Sequence, residues 1–203
     1  MRHADHACEA ALQMVAKLDG LNAQWAQQAV AAQRQFKEVR IGIGINTGDC
    51  CVGNFGSNVR FDYSAIGDEV NVTSRLEGLS KMYGLTAIVS ERTLARAKQD
   101  FPVIELDVVM VKGRERPTRI YTLQQLLGSD LNQLARLECE HKKLLEAYRR
   151  QQWNEAERTL AACKEIGVAA LDTYYSLFAS RMTALREMAL PSEWDGSFAI
   201  TEK

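Results

Sequence analysis

"VRIGIGINTGDCCVGNFGSNVRFDYSAIGDEVNVTSRLEGLSK", residues 39 to 81, carries three strand signals followed by a helix signal. Val39, Ile41, Ile43 and Ile45 alternate with Arg40, Gly42, Gly44 and Asn46, the period-2 pattern of a strand with one apolar face. Its other face is bare at Gly42 and Gly44, so a helix, another backbone or a ligand can approach closely there. Thr47-Gly48 reads as a turn into a second strand, "CCVGNFG", and a third runs from about Phe61 to Ile66. Gly67-Asp68 then opens a helix that buries Val72, Leu76 and Leu79, spaced i, i+4 and i+7. Asn71, Arg75 and Gly78 fall on a neighbouring face, where residues four apart stand one above the other.

Working outward, "LTAIVS" predicts a strand, "ERTLARAKQ" a short helix, and "PVIELDVVMV" with "TRIYTL" a hairpin across the loop "KGRERP". The connections are too short for a run of strand-helix-strand crossovers. The pattern therefore predicts an α+β domain with a largely antiparallel sheet. Upstream, residues 4–36 read as one long helix or two joined ones, with Cys8, Leu12, Val15, Leu18 and then Leu21, Trp25, Ala29, Ala32 and Phe36 at helical spacing. Downstream, composition shifts at "LLGSDLN", residues 126–132, which divides the chain into residues 1–127 and 128–203. The second part is helical, with one stripe at Trp153, Ala156, Leu160 and Cys163 and another at Leu171, Tyr175, Phe178, Met182 and Leu185. "LLEAYRRQQWNEAERTLAACKEI" has the look of a single tetratricopeptide-type helix pair. One such pair cannot bury a face alone and has to pack on the preceding domain, a partner or a second copy. Pro191 ends the helices before the tail "SEWDGSFAITEK".

The 203 residues are 46% hydrophobic and 25% charged, which supports a packed core, and the formal charge of −1 argues against a nucleic-acid partner. No run approaches the roughly 20 apolar residues of a membrane span, and the N-terminus lacks a secretory leader's apolar region. Five cysteines without a CxxC spacing fit reduced thiols, so a cytoplasmic location is expected.

Several candidate sites reduce to ordinary roles. Gly42 and Gly44 match two positions of a dinucleotide fingerprint, but Thr47 stands where the third glycine belongs and no helix follows at once. His3, His6 and Cys8 are too few for a secure metal site and read as terminal residues, so no metal ligand is assigned. Cys50-Cys51 reads as a packing pair, Asp68-Glu69 as carboxylates favourable at a helix start with Asp68 able to cap, and Asp100, Glu105 and Asp107 as a solvated strand face. The constellation that resists this treatment is Asn71 with Arg75, preceded by Ser64 and Gly67, with the "VKG" lysine, Lys112, downstream. Amide, guanidinium, hydroxyl, glycine turn and lysine are the parts that suit a polyphosphate ligand.

These residues also carry a resemblance. The run from Val39 to Gly84, above all "DYSAIGDEVNVTSRLE", together with "VMVKGRERPTRIYTL", resembles the C-terminal part of class III adenylate/guanylate cyclase catalytic domains, from the first helix to about Leu127. The tail is similar to that of bacterial members with a membrane-bound sensor domain upstream. The resemblance implies an incomplete ferredoxin-like cyclase domain that, in the intact dimer, converts ATP or GTP to a 3′,5′-cyclic nucleotide and pyrophosphate for signalling. It implies that Asn71 orients the ribose, that Arg75 stabilises charge on the α-phosphate, and that Lys112 contacts the triphosphate. Ser64, with the backbone from Ala65 to Gly67, would line the purine pocket, and a hydroxyl there leaves adenine against guanine open.

The family also uses Mg²⁺ or Mn²⁺, held by aspartates on a first strand and on a hairpin. Neither has a counterpart here, since the chain starts at the helix that follows them. A homodimer would then supply two copies of Asn71 and Arg75 and no metal ligands, so a partner providing the metal half is expected and the isolated chain is expected to be inactive. The contrasting expectation is a non-catalytic dimerisation or interaction module derived from a cyclase. Either way, uncovered sheet surface predicts self-association or poor solubility.

Overall fold

The computed structural model describes residues 2–56, 61–111 and 116–200. The chain opens with one uninterrupted helix, α1 (His3–Ala31), rather than two. Its first three turns bury Ala4, Cys8 and Ala11 against Ile45, Val89, Phe101 and Leu123. Asp5, fully buried, accepts hydrogen bonds from the backbone N–H groups of Lys98 and Gln99 and so fastens the helix start to the segment that leads into Val103–Val111.

Six strands and two helices follow: β1 (Ile43–Ile45), β2 (Cys51–Gly56), β3 (Phe61–Ile66), α2 (Asp68–Tyr83), β4 (Ala87–Ser90), α3 (Glu91–Leu94), β5 (Val103–Val111) and β6 (Thr118–Leu123). The strand expected over 39–45 forms only at its end. Residues 39–42 lie along α1 instead, where the Asn22 amide donates to the Val39 carbonyl (2.9 Å) and accepts from its N–H (3.0 Å), taking the place of a neighbouring strand. β2 and β3 pair with each other, Gly53 opposite Ser64, as a separate two-stranded sheet that exposes Val52, Tyr63 and Ile66.

The main sheet has the order β1-β4-β6-β5-β7 and is mixed, which corrects the expectation of a largely antiparallel one. β4-β6 and β5-β6 are antiparallel, but both outer pairs, β1-β4 and β5-β7, are parallel. The cause at one edge is α2, which returns the chain so that β1 and β4 run the same way. At the other edge the tail, to which the sequence assigned no element, adds β7 (Phe198–Ile200) alongside β5.

Three helices stand between: α4 (Leu131–Arg149), α5 (Trp153–Ile166) and α6 (Asp172–Arg186). α4 starts at Asp130, whose carboxylate accepts from the Gln133 N–H, and α5 ends at Gly167 in the left-handed conformation. The predicted apolar stripes face inward: Ala156, Leu160 and Cys163 on α5, and Tyr175, Phe178 and Met182 on α6 are buried. They form one continuous core with Leu76 and Tyr83 of α2 and with Ile104 and Leu106 of β5. Burial pushes the Cys163 thiol up to about 11, so it stays protonated.

Asp107 is not on a solvated face. A bulge between Glu105 and Asp107 breaks the alternation of β5, and Leu106, Asp107 and Val108 are all buried. The carbonyls freed at the bulge find partners on the helices. His141 Nε2–H donates to the Glu105 carbonyl (2.6 Å), Tyr174 OH donates to that of Leu106 (2.6 Å), and Tyr175 OH donates to His141 Nδ1 (2.9 Å). Glu105 itself, half-buried, is paired with Arg149 and Arg119.

Candidate active site

α2 is seated directly on β1. A Cβ added at Gly44 would lie 2.6 Å from the Glu77 backbone nitrogen and nearer still to the Thr73 carbonyl oxygen, so the glycine is what lets the helix approach the strand. Val72, Leu76 and Leu79 point into the core as their spacing predicted. Gly67 precedes the helix, and a Cβ there would meet the Asp49 carbonyl oxygen at 3.2 Å and the Cys50 Cα at 3.3 Å, so the turn from β3 into α2 is held tightly against the start of β2. Asp68 is the first helical residue and caps nothing; Gly67 occupies the cap position.

Glu69 anchors this end. Its carboxylate accepts from Asn46 Nδ2 (2.8 Å) and pairs with Arg92 of α3, while Asn46 accepts in turn from Ser90 Oγ (2.7 Å). At the other end Gly84 terminates α2 with φ of 70° and abuts the Thr173 side chain at the start of α6.

On this fixed helix Asn71 is exposed and Arg75 half-buried, one turn apart on one face. Neither side chain has a hydrogen-bond or ion-pair partner among the described residues, while the Asn71 N–H donates to the Gly67 carbonyl at 3.2 Å. Ser64 is exposed and Ala65 half-buried on β3, immediately before the turn. The structure thus brings Ser64, Ala65, Gly67, Asn71 and Arg75 together as one strand-turn-helix unit. Lys112 lies outside the described residues, while the β5-β6 hairpin expected on either side of it is formed.

Chemically, the unit offers a charge-fixed fork, an amide and backbone groups on a rigid support. That suits binding and charge stabilisation and provides no general base. Among the described residues no group of three or more His, Cys, Asp or Glu side chains could hold a metal ion. Cys8 is buried, with its thiol pushed up to about 11 by burial, while His3 and His6 face solvent. The strand-turn-helix unit itself offers no such group for the Mg²⁺ or Mn²⁺ that the cyclase resemblance implies. Cys50 and Cys51 are both exposed, which removes their expected packing role.

Sequence reasoning missed a buried cluster at the far end of α2. Tyr83 OH donates to Asp107 (2.7 Å), and Arg181 of α6 pairs with the same carboxylate. The available signal was Arg181 itself, a cation beside Phe178 and Met182 in an apolar helical stripe.

The family model for the adenylate and guanylate cyclase catalytic domain matches residues 1–125. Adenylate cyclase 1 of Rhizobium meliloti (strain 1021) is 39% identical over 120 residues, 59% of this chain and 17% of that protein. An adenylate cyclase of Anabaena cylindrica is 33% identical over 123 residues, 59% of this chain and 24% of that protein. The chain therefore spans less than a quarter of the length of these curated relatives. Among solved structures, the adenylyl cyclase CyaB from P. aeruginosa is 34% identical, with 58% of each chain covered and a TM-score of 0.45. With more than half of its residues matched by that model, this chain belongs to the adenylate and guanylate cyclase catalytic domain family.

Proposed function

We infer that this chain supplies the transition-state half of a nucleotidyl cyclase site, acting on ATP or GTP at an interface whose other half comes from a partner. The observation that carries this is the pair Asn71 and Arg75, one helical turn apart and without side-chain partners among the described residues, on a helix seated backbone to backbone on the sheet. In the reaction the ribose 3′-hydroxyl gives up its proton to water or to a group outside this unit, its oxygen forms a bond to the α-phosphorus, and the bond to the departing pyrophosphate breaks. Charge accumulates on the non-bridging α-phosphate oxygens, where the fork of Arg75 can donate to more than one of them. Asn71 holds the ribose so that the 3′-oxygen is in line, a matter of orientation. Ser64 and the backbone from Ala65 to Gly67 receive the purine, and Lys112 receives the triphosphate. We assign the metal ions to the partner's half, in keeping with the lack of any group of three or more His, Cys, Asp or Glu side chains for one among the described residues.

The exposed β2-β3 ribbon supports an intermolecular site. A two-stranded hairpin is marginal by itself in water, and Val52, Tyr63 and Ile66 are the side chains a partner would cover. Among the described residues no helix is long and apolar enough to cross a membrane, and reduced thiols favour a cytoplasmic site of action. We place any membrane attachment in an upstream sensor segment. The helix pair α4–α5 is the tetratricopeptide-like part of the extension.

The test is a mixing experiment with ATP or GTP and Mn²⁺. The chain is combined with the catalytic domain of a relative whose own asparagine and arginine have been replaced by alanine. Cyclic nucleotide formed only in the mixture, and lost with Arg75→Ala, is the expected result. A silent mixture would favour a non-catalytic interaction module.

A further inference from the structure

From the geometry we infer that Arg181, in the C-terminal extension, is a positioning residue for the helix that carries Asn71 and Arg75. The inference rests on the cyclase assignment and adds to it a role for residues beyond the family match, which ends at 125.

The connection is a short chain of contacts. Tyr83 is on α2 eight residues after Arg75, about 12 Å along the axis. Its hydroxyl donates to Asp107 Oδ2 at 2.7 Å, and Arg181 Nη1 donates to the same oxygen at 2.5 Å. Arg181 Nη2 also donates to the Tyr83 hydroxyl, at 3.4 Å. The guanidinium carbon sits 3.9 Å from the Phe198 ring centroid of β7 and 5.2 Å from that of Phe178. One buried guanidinium thus touches α2, β5, α6 and β7. The element that bears Asn71 and Arg75 therefore meets the extension at this point, across Asp107 of β5. Tyr83 is fully buried, Asp107 is 2% exposed and Arg181 8%.

Directional bonds suit positioning better than apolar packing does. An apolar contact between α2 and the extension tolerates sliding along the helix axis. A hydroxyl held between a carboxylate and a guanidinium tolerates little. The abutment of Gly84 on Thr173 blocks α2 from moving toward α6, and the Tyr83–Asp107–Arg181 cluster blocks the opposite shift. Residues 68–75 are seated on β1 at Gly44 and held at their own end through Glu69, and the far-end cluster adds the axial stop that fixes where along that seat the helix rests.

The test uses two variants of the full chain, since Arg181→Ala alone strands a buried carboxylate and risks unfolding. Tyr83→Phe keeps the ring and removes only the hydroxyl. Asp107→Leu combined with Arg181→Met removes both charges and leaves an apolar contact. Each is measured in the mixed assay per folded molecule, and amide hydrogen exchange is followed in the chain alone. The expected result is a kcat about tenfold lower with KM within about twofold, because misplacing Arg75 affects the transition state more than ground-state binding. Exchange should quicken in residues 68–83 and stay unchanged in β4 and β6. Unchanged kcat and exchange would overturn the inference, as would losses spread evenly over every segment. No product from the unaltered chain would instead overturn the cyclase assignment, and the exchange pattern would still decide whether Arg181 holds α2.

Discussion

Substituting Gly44 by alanine inserts one methyl group between β1 and α2, against the turn from Thr73 to Glu77 that carries Arg75. The added Cβ would stand 2.6 Å from the Glu77 backbone nitrogen and 3.2 Å from the Glu77 Cα, with the Thr73 carbonyl closer still. Thr73 and Glu77 flank Arg75 in sequence, so the wedge meets backbone and no rotamer change relieves it. β1 is tied to β4 through the parallel ladder Ile43↔Ala87 to Ile45↔Val89, so the helix yields first. Restoring ordinary contact requires α2 to retreat by roughly 1 Å. Overpacking of that kind costs about 1–3 kcal/mol of stability, which leaves a domain of ordinary stability folded. A 1 Å misplacement of a charge-stabilising group is nevertheless enough to lower turnover on the order of 10²-fold. The assay is kcat in the mixed cyclase reaction, with the urea midpoint measured alongside. Gly20→Ala is the control: it lies mid-helix in α1 with nothing within 4 Å of an added Cβ, and it should raise stability by about 0.5–1 kcal/mol with turnover unchanged. Gly44→Ala turnover within about threefold of wild type would refute the claim that close seating of α2 on β1 sets Arg75.

Three further outcomes are expected. Arg75→Ala should lower turnover in the mixed reaction on the order of 10²-fold with an unchanged urea midpoint, since its half-buried side chain has no partner among the described residues; near-wild-type turnover would remove Arg75 from the mechanism. Burial pushes the His141 pKa down to about 4 from its ordinary 6.5, so the folded chain keeps the ring neutral while the unfolded chain takes up a proton first. Stability from this group is complete above pH 6.5 and is lost as pH falls through about 4, by up to about 3 kcal/mol; urea midpoints between pH 7.5 and 4 should fall less steeply in His141→Gln, and equal slopes would contradict the assignment. Finally, Val52, Tyr63 and Ile66 on the hairpin, with Trp25 and Val30 on α1, should drive self-association, visible by light scattering as a mass that rises with concentration; a monomer at all concentrations would speak against it.

What the sequence by itself determined is whatever one element's own periodicity specifies. The inward stripe of α2, the β2-β3 and β5-β6 hairpins, the glycine-bare face of β1, and the grouping of Ser64, Gly67, Asn71 and Arg75 all depend on residues close to each other in sequence. The candidate site was legible for that reason: it is one contiguous strand, turn and helix. Lys112 belongs to the same recognisable sequence pattern but lies outside the described residues.

Tertiary structure decided everything that turns on what lies across from an element. Residues 39–42 alternate like a strand, yet Asn22 from α1 takes both backbone hydrogen bonds of Val39. "SFAITEK" carries no strong strand signal, yet Phe198–Ile200 pairs because β5 has an open edge and Arg181 offers a face to Phe198. Asp107 alternates as a solvent-facing residue, yet a bulge turns it inward to Tyr83 and Arg181, 24 and 74 positions away. Local pattern encodes which face of an element is apolar. It does not encode the partner that satisfies a polar group, because that partner is chosen by packing between distant segments.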